Sequence, residues 1–261
     1  MPKFFVEEFN GVLTDADAKH IEKSLRMKPG EEVTVCDDGG TDHFCVIEKI
    51  LPGKIFLKEV KKEKCKNEAN INLTLYICFL KGESLGNVIK HATELGVNTI
   101  VPVLSEFCVS RPKIQDYAKK TERYQKIAES AAKQSGRGII PKVLYPIDIK
   151  DVPKNTVMFY EHGGKPIKEI LKEIDCICNN NNNNSSNNGD NVKSSNFKEQ
   201  KDIKKDTKKD ISVLIGSEGG FSEKEAEQFK YKATLGKRIL RAETAPLAAV
   251  TCIMLLTGNL E

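Results

Sequence analysis

The sequence predicts an α/β fold in which a small β-rich domain precedes a mostly parallel sheet flanked by helices. Three observations carry this. Short β-branched and aromatic runs, separated by Pro-Gly and Asp-Gly-Gly turns, fill the chain up to Asn70. From Ile71 onward, strand-length apolar runs alternate with stripes of helical spacing, as a parallel sheet with crossover helices requires. One such run, Ile211 to Ile215, feeds directly into the glycine-rich turn Gly216-Ser-Glu-Gly-Gly220. Ligands of open parallel sheets bind beyond the carboxyl ends of the strands, where this turn belongs.

In order along the chain, a helix is expected at Asp15 to Arg26. Strands follow at Val33 to Cys36, His43 to Ile47 and Lys54 to Val60, with turns at Pro29-Gly30, Asp38-Gly39-Gly40 and Pro52-Gly53. Lys61 to Asn70 is charged and aperiodic and reads as the linker that divides residues 1–66 from 71–261. Ile71 to Leu80 is a strand. Leu85, Ile89, Ala92 and Leu95 share a helical face that Gly96 can end. Thr99 to Leu104 is a strand. Tyr124, Ile127, Ala128 and Ala131 form the next stripe, with Gly136 as its stop. Thr156 to Tyr160 is a further strand. Ser222 can cap the following helix, and Glu225 three residues on completes a capping box. Thr244 and Pro246 mark the start of a last helix, apolar nearly all round to Leu256 and so suited to a core or a subunit contact. It is too short to span a membrane.

The chain has 261 residues, 39% hydrophobic and 30% charged, with a formal net charge of +4. Asn179 to Asp210, rich in Asn, Ser, Lys and Asp, lacks the apolar surface to order itself and is expected to be a disordered insertion. Its seven lysines and five acids supply +2 of the excess. The rest is mildly basic, compatible with RNA and not diagnostic of it. Eight cysteines show no C-x-x-C pair and no zinc spacing. Cys176-Ile-Cys178 is a weak metal signal, and no metal is expected. Several of the others lie in apolar stretches, as free thiols do. Met1 to Asn10 has no apolar signal core, and no Arg/Ser-rich leader is visible, which suits a cytoplasmic or organellar protein.

The turn at Gly216 is neither G-x-G-x-x-G nor G-x-x-x-x-G-K-[ST]. Glu218 would repel a phosphate and favour a ligand with cationic character. A second glycine turn, Leu235-Gly236, opens the segment Lys-Arg-Ile-Leu-Arg-Ala-Glu-Thr-Ala-Pro-Leu247. Two backbone-exposing loops close in sequence point to a small ligand held by main-chain groups. S-adenosylmethionine, with its sulfonium and amino group and no phosphate, fits such a place. A plain strand-to-helix turn with a solvated Glu218 is the alternative.

Leu25-Arg-Met-Lys-Pro-Gly30, Ala92-Thr-Glu-Leu-Gly-Val97, Pro102-Val-Leu-Ser-Glu106, Tyr124-Gln-Lys-Ile-Ala128, Gln134-Ser-Gly-Arg137, Pro141, Ile215-Gly-Ser-Glu-Gly-Gly220 and Leu235 to Leu247 occur in this order. Together they resemble the RsmE-type ribosomal RNA uracil-N3 methyltransferases of the SPOUT class, over nearly the whole chain outside Asn179 to Asp210. The resemblance implies a PUA-like RNA-binding barrel over 1–66 and a trefoil-knot methyltransferase domain over 71–261. It implies a homodimer acting on one uridine of small-subunit ribosomal RNA, free or in the assembled subunit. It also implies that S-adenosylmethionine is held by Ile215, Gly216, Glu218, Gly219, Gly220, Leu235, Gly236, Leu240, Arg241, Thr244 and Ala245. A catalytically inactive RNA-binding or ribosome-assembly module with the same fold is the alternative. The chain departs from the family pattern at Lys3, His91, Phe107 and Ser217, where arginine, lysine, arginine and proline are usual.

Methylation at N3 of uracil requires departure of the N3 proton, and a nearby cation stabilises the developing anion. Arg241, inside the Arg-x-Glu-Thr segment, and Arg238 are the candidate catalytic residues. A structural pair of Arg238 with Glu243 or Glu218 is the competing role. Glu243 itself suits charge compensation at the helix start, and His162 is a candidate for the pocket wall or an ordinary loop histidine. Candidate RNA contacts are Arg26, Lys28, Arg123 and Arg137, with Arg111, Lys126 and Lys142 behind them.

Overall fold

The computed structural model describes residues 1–174 and 208–260. Two sheets organise them. The first has the order β1 (Lys3–Val6), β3 (Glu32–Asp37), β4 (Thr41–Leu51), β5 (Lys54–Lys64), β2 (Val12–Thr14). β1 runs parallel to β3, and the other pairs are antiparallel. Alternate residues turn inward, so Phe4, Leu13, Val33, Val35, Ile47 and Ile55 form a core with Ile21 beneath it. The expected first helix is α1 (Asp15–Lys19), which continues as wider π turns over His20–Leu25. It ends where Arg26 turns left-handed at φ 53°.

Lys61 to Lys64 corrects the expected linker. These residues extend β5, pairing Lys61 with Phe44 and Lys64 with Thr41. The charge that reads as a linker belongs to a strand with one open edge, where lysine is tolerated and protective. The Lys61 ammonium also lies 5.6 Å from the centroid of the Phe44 ring. The connection between the sheets is therefore only 65–70.

The second sheet has the order β11 (Lys165–Pro166), β13 (Tyr231–Thr234), β10 (Val157–Phe159), β12 (Lys209–Ile215), β6 (Ile71–Cys78), β7 (Thr99–Leu104), β8 (Lys142–Val143), with β9 (Ile147–Asp148) also on β7. Every pair is parallel, as the alternating pattern predicts. β6 and β12 are central, and their burial becomes continuous only toward their carboxyl ends, at Ile77–Cys78 and Val213–Ile215. The helices are α2 (Ser84–Glu94), α3 (Tyr117–Ser135), α4 (167–174), α5 (Glu223–Glu227) and α6 (Thr244–Leu256). Gly136 ends α3 in the left-handed conformation at φ 70°, and Gly96 follows α2 at φ 100°. β12 begins at Lys209, so the expected disordered insertion does not reach Asp210. Residues 179–207 of that insertion, and Cys176-Ile-Cys178, lie outside the described residues. No helix among the described residues is long and apolar enough to cross a membrane.

Candidate functional site

The strand order brings the carboxyl ends of β6, β10, β12 and β13 together, and a cavity of about 470 Å³ opens there. This is within the range of small-ligand sites, roughly 300–1,000 Å³. Leu80 and Ser84 enter from β6 and the start of α2, and Phe159, Tyr160 and Glu161 from β10. The floor is the turn after β12, and the open wall is the arm from Thr234 to Ala245.

The turn is held by more than its glycines. Ser217 and Gly220 form an isolated bridge, with Gly220 N–H donating to the Ser217 carbonyl at 3.0 Å. Gly220 is left-handed at φ 68°, and a side chain there would put Cβ 2.5 Å from Glu161 Oε1. A Cβ on Gly219 would stand 2.7 Å from that of Phe107. Behind the turn, Ser222 and Glu225 make the expected capping box. Buried Glu225 uses its other oxygen, Oε1, to accept the Glu106 N–H at 2.7 Å. The loop after β7 is thus tied to the glycine turn. Arg111 closes that loop by donating to the carbonyls of Ser105, Glu106 and Cys108.

Charge around the cavity is mixed. Glu161, Glu218 and Glu243 line it, as do Lys237, Arg238 and Arg241. Glu218 Oε1 accepts the Lys81 N–H at 3.0 Å, and Glu243 accepts the Ser84 hydroxyl at 3.0 Å from the N-cap position of α6. The side chains of Arg238 and Arg241 have no ion-pair or hydrogen-bond partner among the described residues. The structural pair considered for Arg238 does not form.

Of the expected ligand-holding residues, Ile215, Gly216, Glu218, Gly220, Leu235, Gly236, Leu240, Arg241 and Ala245 line the cavity together with Arg238. Gly219 and Thr244 do not reach it. Gly219 is turned against Phe107, and Thr244 opens α6. Leu80, Ser84, Tyr160, Glu161, Phe221 and Lys237 line the cavity and were not foreseen. The rule that ligands sit beyond strand ends, applied to β6 and β10 as well as β12, would have found the first four. His162 is outside, 69% exposed and 3.3 Å from Glu161.

The candidate RNA contacts scatter. Arg26 and Lys28 are exposed on the first sheet's domain, and Lys142 is exposed beside β8. Arg123 pairs with Glu83, and Lys126 with Glu122 at 2.6 Å. Arg137 is a correction: it is 2% exposed. It makes two bonds to Glu68, at 3.2 and 2.7 Å, and donates to the carbonyls of Thr93 and Val97. Four of its five donors are taken in this way, and burial keeps the fifth from a phosphate. Arg111 ties down its own loop through Nε and Nη2 and leaves its Nη1 donors at an exposed position.

A parallel sheet with a cavity floored by main chain at its carboxyl edge, preceded by a small β domain, defines an α/β protein that holds a small ligand beyond its strand ends. Residues 67–254 match the RNA methyltransferase domain family, and residues 13–60 match the RNA methyltransferase PUA domain. The ribosomal RNA small subunit methyltransferase E of Mesomycoplasma hyopneumoniae is 31% identical over 97% of this chain and 99% of its own length. That of Bacillus subtilis is 29% identical over 92% and 88%. The crystal structure of ribosomal RNA small subunit methyltransferase E from Neisseria gonorrhoeae bound to S-adenosyl methionine superposes with a TM-score of 0.74, at 28% identity and over 98% of each chain. The chain belongs to the ribosomal RNA small subunit methyltransferase E family.

Proposed function

We propose that this chain transfers a methyl group from S-adenosylmethionine to N3 of one uridine in small-subunit ribosomal RNA. The carrying observation is the cavity itself: a glycine floor, three carboxylates and two arginines with unspent donors. S-adenosylmethionine, when bound, supplies an electrophilic methyl on a cationic sulfur. The residues fit that group. Gly216 and Gly220 leave the main chain bare where side chains would collide with Phe221 and Glu161. Leu80, Phe159 and Leu235 give an apolar wall. Glu161 and Glu218 offer counter-charge to a sulfonium or ammonium on the glycine-turn side, while Lys237, Arg238 and Arg241 stand on the arm.

Arg241 and Arg238 stand at the open wall with their charge uncompensated. Either can stabilise the anion that develops on the uracil carbonyls as the N3 proton leaves. The Ser84 hydroxyl holds the Glu243 carboxylate, so that acid does not neutralise Arg241. The uridine leaves its stack to reach the cavity.

The same reading covers the rest of the chain. Residues 1–66 form the RNA-holding barrel and 71–261 the transferase domain, whose last segment threads as a trefoil knot. The position of β13 beyond β10 and the return of α6 to pack on α2 support that threading. α6 leaves Leu255 and Leu256 exposed at 58% and 42%, the apolar surface a second copy would cover. Small-subunit rRNA, free or in the assembled subunit, is the partner, met in the cytoplasm or in an organelle.

The test is nucleoside mass spectrometry of undermodified small-subunit rRNA incubated with the protein and donor. The expected product is 3-methyluridine. Its absence beside an active relative overturns the reading. Calorimetry with the donor then separates a silent RNA-binding module, which binds RNA alone, from an enzyme given the wrong substrate.

A further inference from the structure

The two sheets meet at the C-terminal end of α3, and the contact is polar and buried. Lys3 on β1 is 9% exposed. Its ammonium stands 2.7 Å from Asp42 Oδ1 and donates to the Gly136 carbonyl at 3.2 Å. Asp42 Oδ1 is closed off from solvent and takes no directed hydrogen bond, so its contact with Lys3 is Coulombic. The position suits a cation, because the dipole of the 19-residue α3 ends there. Fully buried Cys36 on β3 donates to the Gly138 carbonyl at 3.4 Å. Burial pushes that thiol up to about 12, so it keeps its proton at neutral pH.

The other side of the same loop is fixed as firmly. Arg137 is clamped by Glu68, and Glu68 Oε1 also accepts the N–H groups of Gly138 and Ile139. Gly138 has no room for a side chain, since its Cβ would lie 2.6 Å from that of Cys65. A second point of attachment, Lys133 to Asp17 at 3.2 Å, joins α3 to α1.

Domains joined by a short connection normally move against each other unless a large apolar interface holds them. Here the joint is made of buried charge, which stabilises less than apolar packing but tolerates only one geometry. Resting on the reading of the chain as an rRNA methyltransferase, we propose that Lys3, acting through Asp42 and the Gly136 carbonyl, is a positioning residue. It sets the barrel at one angle to the donor cavity, so that a single RNA is held by both. The barrel and the cavity then act as two linked sites, and loosening the link lowers the effective concentration of one for the other.

Lys3→Met keeps the side-chain length and removes the charge, Asp42→Asn breaks the pair from the other side, and Lys3→Arg keeps it. Lys3→Met and Asp42→Asn are expected to raise KM for small-subunit rRNA roughly tenfold. The kcat at saturating RNA and the calorimetric donor Kd should stay within about twofold, because the cavity is untouched. Lys3→Arg should recover most of the loss. An unchanged KM in both pair-breaking variants, or a donor affinity that falls in step with KM, overturns the proposal. Should the wild-type chain methylate nothing, RNA-binding affinity and small-angle scattering decide in its place. Weaker binding with a broadened pair-distance distribution supports the clasp, and unchanged profiles overturn it.

Discussion

Arg137 and Arg241 carry the same guanidinium, and each follows a left-handed glycine within five residues. Their surroundings are opposite. Arg137 is enclosed, with its donors spent on Glu68, Thr93 and Val97. Arg241 stands on the open arm with no partner for its side chain. The contrast separates two uses of charge. At the joint, charge is paired so that the backbone around it has one arrangement. At the cavity, charge is left unpaired so that something else can be stabilised. Removing the first should damage the fold, and removing the second should damage only the reaction.

The largest effect expected is on the paired site. Arg137→Met leaves Glu68, its side chain 10% exposed, with two N–H partners and no counter-charge. It should destabilise the protein by roughly 3–5 kcal/mol, read as a fall in the urea midpoint at constant m. The mirror experiment is Arg241→Ala. If this guanidinium meets the developing anion, kcat should fall about 10²-fold or more, while the urea midpoint moves by no more than about 0.5 kcal/mol, as for an exposed unpartnered side chain. A folded, unaffected Arg137→Met or an unfolded Arg241→Ala would erase the distinction.

How far each region can be read from sequence follows from the same contrast. β7 was legible to the residue, because Thr99–Leu104 is an apolar run between a glycine turn and a polar loop. The Ser222–Glu225 box and the Gly136 stop were legible for the same reason, since their causes lie within a few residues. Arg137 was not, because the acid that claims it is 69 positions away in what reads as a linker. Lys61 to Lys64 failed similarly: charge signals a loop until the open edge of β5 explains it. The cavity was half legible. Its glycine turns are local, but Ser84, Tyr160 and Glu161 arrive only because β6 and β10 flank β12 in the sheet.

The glycines of the cavity sharpen the contrast further, and with smaller effects. Gly220 and Gly236 are both left-handed, at φ 68° and 98°, so alanine should cost about 1–2 kcal/mol of strain at each. Only at Gly220 would the new Cβ meet anything, namely Glu161 Oε1; Gly236 faces open space. Gly220→Ala should therefore also weaken donor binding beyond what strain explains, by moving a residue that lines the cavity. Gly236→Ala, whose Cβ meets no protein atom, should weaken donor binding less. Equal donor affinities in the two variants would deny Glu161 a place in the site.

The smallest effect expected is at Ser222. Its hydroxyl accepts the Glu225 N–H at 3.4 Å, a long bond at the head of a five-residue helix. Ser222→Ala should cost about 0.5–1 kcal/mol, the lower part of the range for a lost cap. The loss is small because Glu225 does most of the holding. Its carboxylate accepts the Ser222 N–H at 2.9 Å and the Glu106 N–H at 2.7 Å, and neither bond needs the hydroxyl. Glu225→Ala should cost more than Ser222→Ala for that reason, since it orphans two N–H groups and unties the glycine turn from the loop after β7. If the two variants shift the urea midpoint equally, the turn is held by its own glycines and not by the loop behind it.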